Sequence, residues 1–182
     1  MPRAWPDRGK RRLLSTRVLG VDALTLVSPR TGETHEFSIV DCVDWCNIVP
    51  LTRAREVVMV RQHRYGTGEE TLELPGGMVD GTDASPLEAA RRELLEETGY
   101  RAALVEPTGV IAPNPAMQTN RCWSFLARDV ERVGAPRLEG GEDIEVVTVP
   151  LDEIPGRIAR GEISHALVVV AFAYALGLRA PA

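Results

Sequence analysis

The chain has 182 residues, of which 44% are hydrophobic and 26% charged, and it carries a net charge of −5. This length predicts one domain with a short appendage, and the composition excludes a chain that is disordered, collagen-like or coiled-coil throughout. The acidic balance argues against a nucleic-acid binder that relies on a basic face. A nucleotide substrate stays open, because a bound divalent cation can supply the positive charge that phosphates need.

The N-terminal sequence and the cysteines predict a cytoplasmic protein. A basic start precedes an apolar stretch, but Arg17 and Asp22 interrupt that stretch and no cleavage signature follows, which argues against a signal peptide. The longest apolar run, 166–178, is too short to span a bilayer. The three cysteines show no disulfide pattern and lack the further ligands of a zinc site, so we expect reduced thiols.

The first predicted elements in chain order are a loose, basic, proline-containing arm over residues 1–12 and a series of strands. Alternating apolar residues and turn signals predict these strands over 16–27, 35–40, 43–51, 57–63 and 71–74. The last of them stops at Pro75, which is followed by two glycines.

The clearest helix is predicted over residues 86–98. Ser85 is a favourable N-cap, Pro86 suits the first helical position, and Glu88 completes a capping box with Ser85. Gly99 is the natural residue after the last turn, because glycine adopts the left-handed conformation without strain.

Further strands and two helices are predicted behind it. The strands cover 104–112, 122–127 and 144–149, and the helices cover 155–160 and 164–178. The last helix is apolar nearly all round, so we expect it to be buried against the sheet or a partner subunit. Many strands with one internal helix and terminal helices predict an α+β or mixed α/β fold.

Three acidic side chains give the predicted helix 86–98 its chemical character. Glu93, Glu96 and Glu97 are spaced i, i+3, i+4, so their carboxylates project from one face, beside Gly76 and Gly77. Carboxylate oxygens with a backbone carbonyl are suited to Mg²⁺ or Mn²⁺. The acids also fit an ordinary solvated helix face, and this alternative stays open on spacing alone.

The segment ELPGGMVDGTDASPLEAARRELLEETGY, residues 73–100, resembles the signature box of Nudix hydrolases. That box reads Gly-x5-Glu-x7-Arg-Glu-U-x-Glu-Glu-x-Gly-U, where U is a bulky apolar residue. The matching residues are Gly77, Arg92, Glu93, Leu94, Glu96, Glu97, Gly99 and Tyr100. The first acid of the box departs from the pattern, because Asp83 stands there with eight residues between it and Arg92.

The resemblance implies an α/β/α sandwich with a Nudix-type mixed sheet, preceded by an antiparallel pair of N-terminal strands. Residues 1–40 would form the arm and strands and hold a homodimer together, and residues 41–182 would form the hydrolase domain. By the same resemblance, Glu93 and Glu97 would be the main Mg²⁺ ligands. Glu96 would bind directly or through water, the carbonyl of Gly76 or Gly77 would complete the site, and Arg92 would orient the carboxylates.

The stretch VVMVRQHRYGTGEETLELPGG is similar to the approach to this box in the ADP-ribose and nucleoside-diphosphate-sugar subfamily. The similarity implies that Arg61, Arg64 and Glu73 line the diphosphate pocket, although the two arginines also fit an ordinary strand face. The subfamily places a substrate loop where this chain has APNPAMQTNRC. Its polar side chains, which would read the sugar or the base or would stabilise a turn, are Asn114, Gln118 and Asn120.

The stretch GGEDIEVV resembles the mobile loop that supplies the catalytic base in this subfamily. Glu142 is the preferred base, Glu139 and Glu145 are the alternatives, and a merely solvated loop stays open. Trp45 is a core residue or a base-stacking residue, and His63 and His165 are expected to be structural.

The resemblance therefore predicts Mg²⁺-dependent hydrolysis of the diphosphate in a nucleoside diphosphate sugar or ADP-ribose, with Glu142, Glu97 and Arg92 in the catalytic machinery. Replacing Glu97 is expected to leave the fold intact because the residue is expected to face outward. The alternatives are a house-cleaning nucleotide or RNA-cap pyrophosphohydrolase and a non-catalytic nucleotide sensor. No membrane and no stable nucleic-acid partner is expected.

Overall fold

A computed structural model describes residues 3–138 and 140–177 of the chain. Contacts divide the chain into two units. The first comprises the residues up to Val43 together with Ala112–Arg121, and the second comprises Asp44–Ile111 and the residues from Cys122 onward.

The first unit is built on a three-stranded antiparallel sheet. Its strands are β1 (Asp7–Ser15), β2 (Leu19–Val27) and β3 (Thr34–Cys42), in the order β1-β2-β3. The expected strand pair is therefore a trio, and the prediction of a loose arm over 1–12 is wrong for the residues in β1. Every side chain of β1 is exposed, so no apolar alternation marks this strand in the sequence.

Charged side chains connect β1 to both β2 and β3. Lys10 lies 3.3 Å from the buried carboxylate of Asp22, and Arg12 lies 2.6 Å from Asp41. Strand β1 has no buried apolar face, so ladder hydrogen bonds and these ion pairs attach it to the sheet.

The second unit contains a seven-stranded mixed sheet. Its strands are β4 (Trp45–Leu51), β5 (Glu56–Arg64), β6 (Glu69–Glu73), β7 (Gly76–Met78), β9 (Leu104–Ile111), β10 (Cys122–Arg128) and β12 (Ile144–Pro150). The central order is β12-β5-β4-β10-β9, with β6 paired to β5 and β7 paired to β4. Strands β4 and β10 run parallel, and the other pairs are antiparallel. A separate short ladder joins β8 (Tyr100–Arg101) to β11 (Glu131–Arg132).

The helices of this unit are α1 (Pro86–Thr98), α2 (Ile154–Ala159) and α3 (Ala166–Ala175), and a 3₁₀ turn over Leu151–Glu153 precedes α2. The predicted bounds and caps of α1 are confirmed. The Ser85 hydroxyl accepts a hydrogen bond from the Glu88 amide at 3.3 Å, and Gly99 ends the helix with φ of 73°. Helix α3 is shorter than predicted, and it buries Val168, Ala171 and Phe172.

Two apolar clusters carry the core of the second unit. One packs Ala90 and Leu94 of α1 with sheet residues such as Ile48, and the other packs Phe172 of α3 with sheet residues such as Met59. The sheet thus lies between α1 and α3, and the predicted α/β/α sandwich is confirmed. None of the helices in the described part of the chain combines the length and the apolarity that a bilayer crossing requires.

Candidate active site

Two glycines in β7 bring the sheet into contact with α1. Gly76 and Gly77 pair with Asn47 and Cys46 of β4. A Cβ atom on Gly77 would lie 2.5 Å from Oε1 of Glu93, and one on Gly76 would collide with the Cys46 carbonyl. Only glycine fits such close approaches, so this glycine pair sets the distance between the sheet and the acidic face of the helix.

The carboxylates of Glu93 and Glu97 are buried beside the glycine pair. Glu97 is 4% exposed and its Oε2 accepts a hydrogen bond from the Gly76 amide at 2.9 Å, and Glu93 is 9% exposed. The expectation that Glu97 faces outward is wrong. Helix α1 packs against β4 and β7 along an edge that includes these two acids, so the sheet covers them.

Burial changes the acidity of both groups. It raises the pKa of Glu93 to about 7, against the lowering effect of the neighbouring Arg92. It raises the pKa of Glu97 to about 8, against the lowering effect of the Gly76 hydrogen bond. The negative charge of Glu96 adds to the shift of Glu93, that of Glu93 adds to the shift of Glu97, and that of Glu142 adds to both. Two carboxylates that resist ionisation side by side form a site where a cation is strongly favoured.

Arg92 connects the acids of the box. Its guanidinium donates to both carboxylate oxygens of Asp83, at 3.1 and 3.0 Å, and Nη1 reaches Glu93 at 2.9 Å and Glu96 at 3.1 Å. The two-pronged bond to Arg92 also holds the pKa of Asp83 below its ordinary value. Asp83 is thus a partner of Arg92 that aligns it with the helix carboxylates.

The third helix acid is placed differently from the other two. The side chain of Glu96 is 42% exposed and pairs with Arg92. Within the described residues, no group of three or more His, Cys, Asp or Glu side chains is arranged as a complete metal site. The predicted set is therefore assembled only in part, as two buried carboxylates beside the glycine pair.

These residues nevertheless fit a hard divalent cation. The donors are carboxylate oxygens and backbone oxygens, which Mg²⁺ prefers over nitrogen or sulfur ligands. The space that a Cβ would fill at Gly77 lies open directly against the Glu93 carboxylate. A cation there would be bound by Glu93, Glu97 and an oxygen of the glycine pair.

We expect the substitution Gly77→Ala to disrupt this site. The new methyl group would displace the Glu93 carboxylate, and a misplacement of about 1 Å lowers turnover by about 10²-fold. Steady-state kinetics measures kcat, and Gly81→Ala is the matched control because nothing lies within 4 Å of its added Cβ. Equal kcat values for the two variants would contradict the role assigned to the glycine pair.

A cavity of about 580 Å³ opens beside the glycine pair in the second unit. Arg64 and Glu73, which the resemblance assigns to the diphosphate, line this cavity, and so does Trp45. The rest of the wall combines polar and apolar residues, among them Thr67, Glu69, Thr71, Leu74, Gly76, Gly77, Ser164, His165, Leu167 and Val168.

Glu73 is the centre of a saturated polar cluster in this cavity. Arg64 donates to both of its oxygens at 2.7 Å, Thr71 donates to Oε1 at 2.6 Å, and His165 Nδ1 lies 2.7 Å from Oε2. Burial alone would raise the pKa of Glu73, which is 2% exposed, but the hydrogen bonds from Arg64, His165 and Thr71 hold it well below its ordinary value. These contacts fix the positions of the Arg64 and His165 side chains relative to Glu73.

Arg61 stands apart from this cluster. It lies 3.5 Å from Glu70 and 3.5 Å from Glu145, and it is absent from the cavity wall. The structure therefore brings Arg64 and Glu73 together at the cavity but gives Arg61 acidic partners on neighbouring strands.

The loop of the predicted base is tied to the hairpin between β5 and β6. The Tyr65 hydroxyl donates to the Gly141 carbonyl at 3.0 Å, one residue before Glu142. The charge of Glu142 acts on Glu93 and Glu97, so the three acids share one electrostatic environment. The alternative base Glu139 lies outside the described residues.

The predicted substrate-loop residues belong to the first unit. The Asn114 carbonyl accepts hydrogen bonds from the amides of Met117 and Gln118, at 3.1 and 2.8 Å, which closes a turn. Gln118 bridges to Val40, and the buried side-chain amide of Asn120 has no hydrogen-bond partner among the described residues. Their role toward a substrate stays a prediction.

Sequence reasoning missed two residues that the structure connects to this region. His165 meets Glu73 across 92 positions of the chain, and Tyr65 meets Gly141 across 76. No local spacing rule links such distant residues, and a lone histidine or tyrosine carries no motif.

Three comparisons with known proteins, by family model, by sequence and by structure, agree with one another. The family model described as the NUDIX domain matches residues 46–170. The chain is 31% identical over 174 residues to a CMP-5'-(N-acetyl-N-hydroxy-3-aminopropyl)phosphonate hydrolase of Streptomyces rubellomurinus, covering 96% of this chain and 83% of the relative. It is 33% identical over 163 residues to an ADP-sugar pyrophosphatase of Mus musculus, covering 82% and 73%. The crystal structure of an ADP compounds hydrolase matches with a TM-score of 0.81 at 20% identity, covering 96% of this chain and 93% of that one, and supports the fold.

Proposed function

The chain belongs to the Nudix family, and from that premise we propose that it hydrolyses the diphosphate link of nucleoside diphosphate sugars or ADP-ribose. The observation that carries this proposal is the pair of buried carboxylates, Glu93 and Glu97, against the glycine pair. The name of the mouse relative, an ADP-sugar pyrophosphatase, supports the substrate class. The products would be a nucleoside monophosphate and a sugar phosphate.

We assign the divalent cation to Glu93, Glu97 and an oxygen of the glycine pair, with Glu96 reaching it directly or through water. Mg²⁺ is the proposed ion, Mn²⁺ would fit the same donors, and either would neutralise the diphosphate and polarise its oxygens. Arg92 keeps the acids aligned through its bonds to Asp83, Glu93 and Glu96.

The reaction adds water across the P–O–P link. A bond forms between the water oxygen and one phosphorus, and the bridging P–O bond of that phosphorus breaks. Glu142 accepts the proton of the water, and the departing phosphate keeps the bridging oxygen. The shared environment of Glu142, Glu93 and Glu97 supports this assignment.

A panel of UDP-, GDP-, ADP- and CDP-sugars with ADP-ribose and Mg²⁺ tests the function. Chromatography identifies the products, and ¹⁸O-labelled water identifies the phosphorus that is attacked. Release of nucleoside monophosphate from at least one member is the expected result. Turnover of deoxynucleoside triphosphates or capped RNA alone would replace the proposal with one of its alternatives.

The assignment of the base leads to a separate prediction. Glu142→Gln is expected to lower kcat by about 10²-fold or more, because general-base catalysis contributes about 10²–10⁴-fold. Asp143→Asn, which removes one charge from the same loop, is expected to keep kcat near the wild-type value. A larger loss in Glu145→Gln than in Glu142→Gln would move the base to Glu145.

The proposal also includes a homodimer held by the first unit. Strand β1 is an edge strand that exposes Leu13 and Leu14, and an edge strand is a ready template for pairing with another chain. Light scattering is expected to give about twice the chain mass of 19.9 kDa. A cytoplasmic location is part of the same proposal, supported by three cysteines that form no disulfide with one another.

A further inference from the structure

We infer that His165 is a substrate-binding residue whose Nε2 atom hydrogen-bonds a hydroxyl of the substrate's glycosyl group, in the cavity beside the glycine pair. This inference rests on the proposed function and assigns a role within it. It replaces the expectation that His165 is merely structural.

The position of the cavity connects this residue to the reaction site. Gly76 and Gly77 form part of the cavity wall, and the same two residues contact the carboxylates of Glu93 and Glu97. A diphosphate held at those carboxylates therefore has one of its two substituents at the mouth of the cavity. His165, which immediately precedes α3, also lines this cavity, and its side chain is 36% exposed.

The contact with Glu73 determines which nitrogen of the ring carries a hydrogen. An ionised carboxylate only accepts hydrogen bonds, so Nδ1 of His165 must donate to Oε2 at 2.7 Å. Nε2 is then an acceptor in the neutral ring and a donor in the imidazolium ring. Among the described residues no hydrogen bond to Nε2 is found, and a hydroxyl can both donate and accept, so Nε2 suits the hydroxyl of a ligand in either state.

The charges in the cavity favour an uncharged ligand group. Arg64 is matched by Glu73 in a two-pronged pair, and Glu69 on the same wall adds a negative charge. The wall thus carries no excess positive charge to attract a second phosphate. The polar residues of the wall also include Thr67, Ser164 and His165.

The apolar part of the wall completes the match to a sugar ring. It is formed by Trp45, Leu74, Leu167 and Val168. Ligand cavities commonly combine such apolar surfaces with a few polar groups that fix orientation. A glycosyl group offers C–H surfaces to the apolar side chains and hydroxyl groups to the polar ones.

Two variants and two substrates test the role of His165. His165→Asn keeps an amide that can donate to Glu73 but lacks the outer ring nitrogen, and His35→Asn is the control in the first unit. The substrates are the best nucleotide sugar of the panel and the β-methyl ester of the same nucleoside diphosphate, which lacks the sugar. His165→Asn is expected to raise KM for the nucleotide sugar about five- to tenfold, to leave KM for the methyl ester within about twofold, and to change kcat little for both.

Equal changes in KM for the two substrates, or no change for either, would overturn the assignment. Failure of the wild-type protein to hydrolyse any nucleotide sugar would instead overturn the proposed function, so the two failures are distinguishable. Circular dichroism checks that His165→Asn folds.

An NMR measurement on the wild-type protein covers the case in which this variant fails to fold. The chain has three histidines, so imidazole ¹⁵N signals can be assigned with single variants. With Mg²⁺ and methylene-bridged analogues of both ligands, which cannot be hydrolysed, the analogue of the nucleotide sugar is expected to shift the Nε2 signal of His165 and the analogue of the methyl ester is not. Identical responses to the two ligands would contradict the inference.

Discussion

Replacing Glu97, the proposed metal ligand, with Gln is expected to lower kcat by about 10³-fold or more, because a metal ion at a reacting diphosphate contributes several kcal/mol of transition-state stabilisation. Glu97 is hydrogen-bonded to the glycine pair, and Gln keeps the shape of the side chain and an oxygen that accepts from the Gly76 amide. Circular dichroism is therefore expected to be unchanged. Steady-state kinetics with saturating Mg²⁺ measures the loss, and a wild-type kcat would remove Glu97 from the mechanism.

The same substitution is expected to stabilise the metal-free protein at pH 8. The folded-state pKa of Glu97 is about 8 against an ordinary value of 4.5, so between these values the folded protein holds a proton that the unfolded chain has released. Stability therefore falls as the pH rises through this window, and Gln removes that dependence. Urea unfolding in EDTA at pH 5 and pH 8 measures it, with a larger advantage for the variant expected at pH 8.

The matched control makes the same chemical change, Glu to Gln, at a position on α1 away from the glycine pair. Glu88→Gln changes an exposed glutamate on the same helix, which pairs with Arg91 away from the glycine pair. It is expected to keep kcat and to be stabilised by Mg²⁺ like the wild type. Glu97→Gln is expected to lose most of that Mg²⁺-dependent increase in Tm.

Replacing Arg64 with Ala is expected to destabilise the protein by about 3 kcal/mol, since removing one partner of a buried pair leaves the other charge uncompensated. The Arg64 side chain is 43% exposed but that of Glu73 is only 2% exposed, so the charge left behind is buried. For a chain of this size the change corresponds to a decrease in Tm of about 10 °C. Arg53→Ala, which removes a well-exposed arginine, is the control.

The pH dependence of this effect has a definite sign. Because hydrogen bonds hold the folded-state pKa of Glu73 below 4.5, its stabilising contribution is present above pH 4.5 and is lost as the pH falls through the folded-state value. The difference in stability between wild type and Arg64→Ala is expected to shrink below pH 4.5.

Adding Glu73→Gln to Arg64→Ala removes the uncompensated charge, so the double variant is expected to lose less stability than the two single variants lose together. Simple additivity would contradict the coupling.

Helix α1 shows how far local sequence rules extend. Its start at Pro86, its end at Thr98, and both caps were predictable because they depend on residues a few positions apart. The fold class was predictable from the order of the elements and from the resemblance that the box carries. Strand β1 was not, because its side chains are all exposed and its pairing with β2 leaves no apolar period in the sequence.

The candidate site likewise has one part that the sequence predicts and another that depends on packing. The spacing of Glu93, Glu96 and Glu97 places three acids on one face of a helix, whatever surrounds that helix. Which of them are buried depends on where β7 meets α1, so only the tertiary structure separated buried Glu93 and Glu97 from exposed Glu96.

Helix α1, its caps, the acidic face and the family could be predicted because each follows from residues that are neighbours along the chain. The burial of Glu97, the pairing of Asp83 with Arg92 and the contact of Glu73 with His165 became visible only in the folded chain. Burial and long-range hydrogen bonds depend on which elements pack together. That packing is set by the whole core and by no single segment.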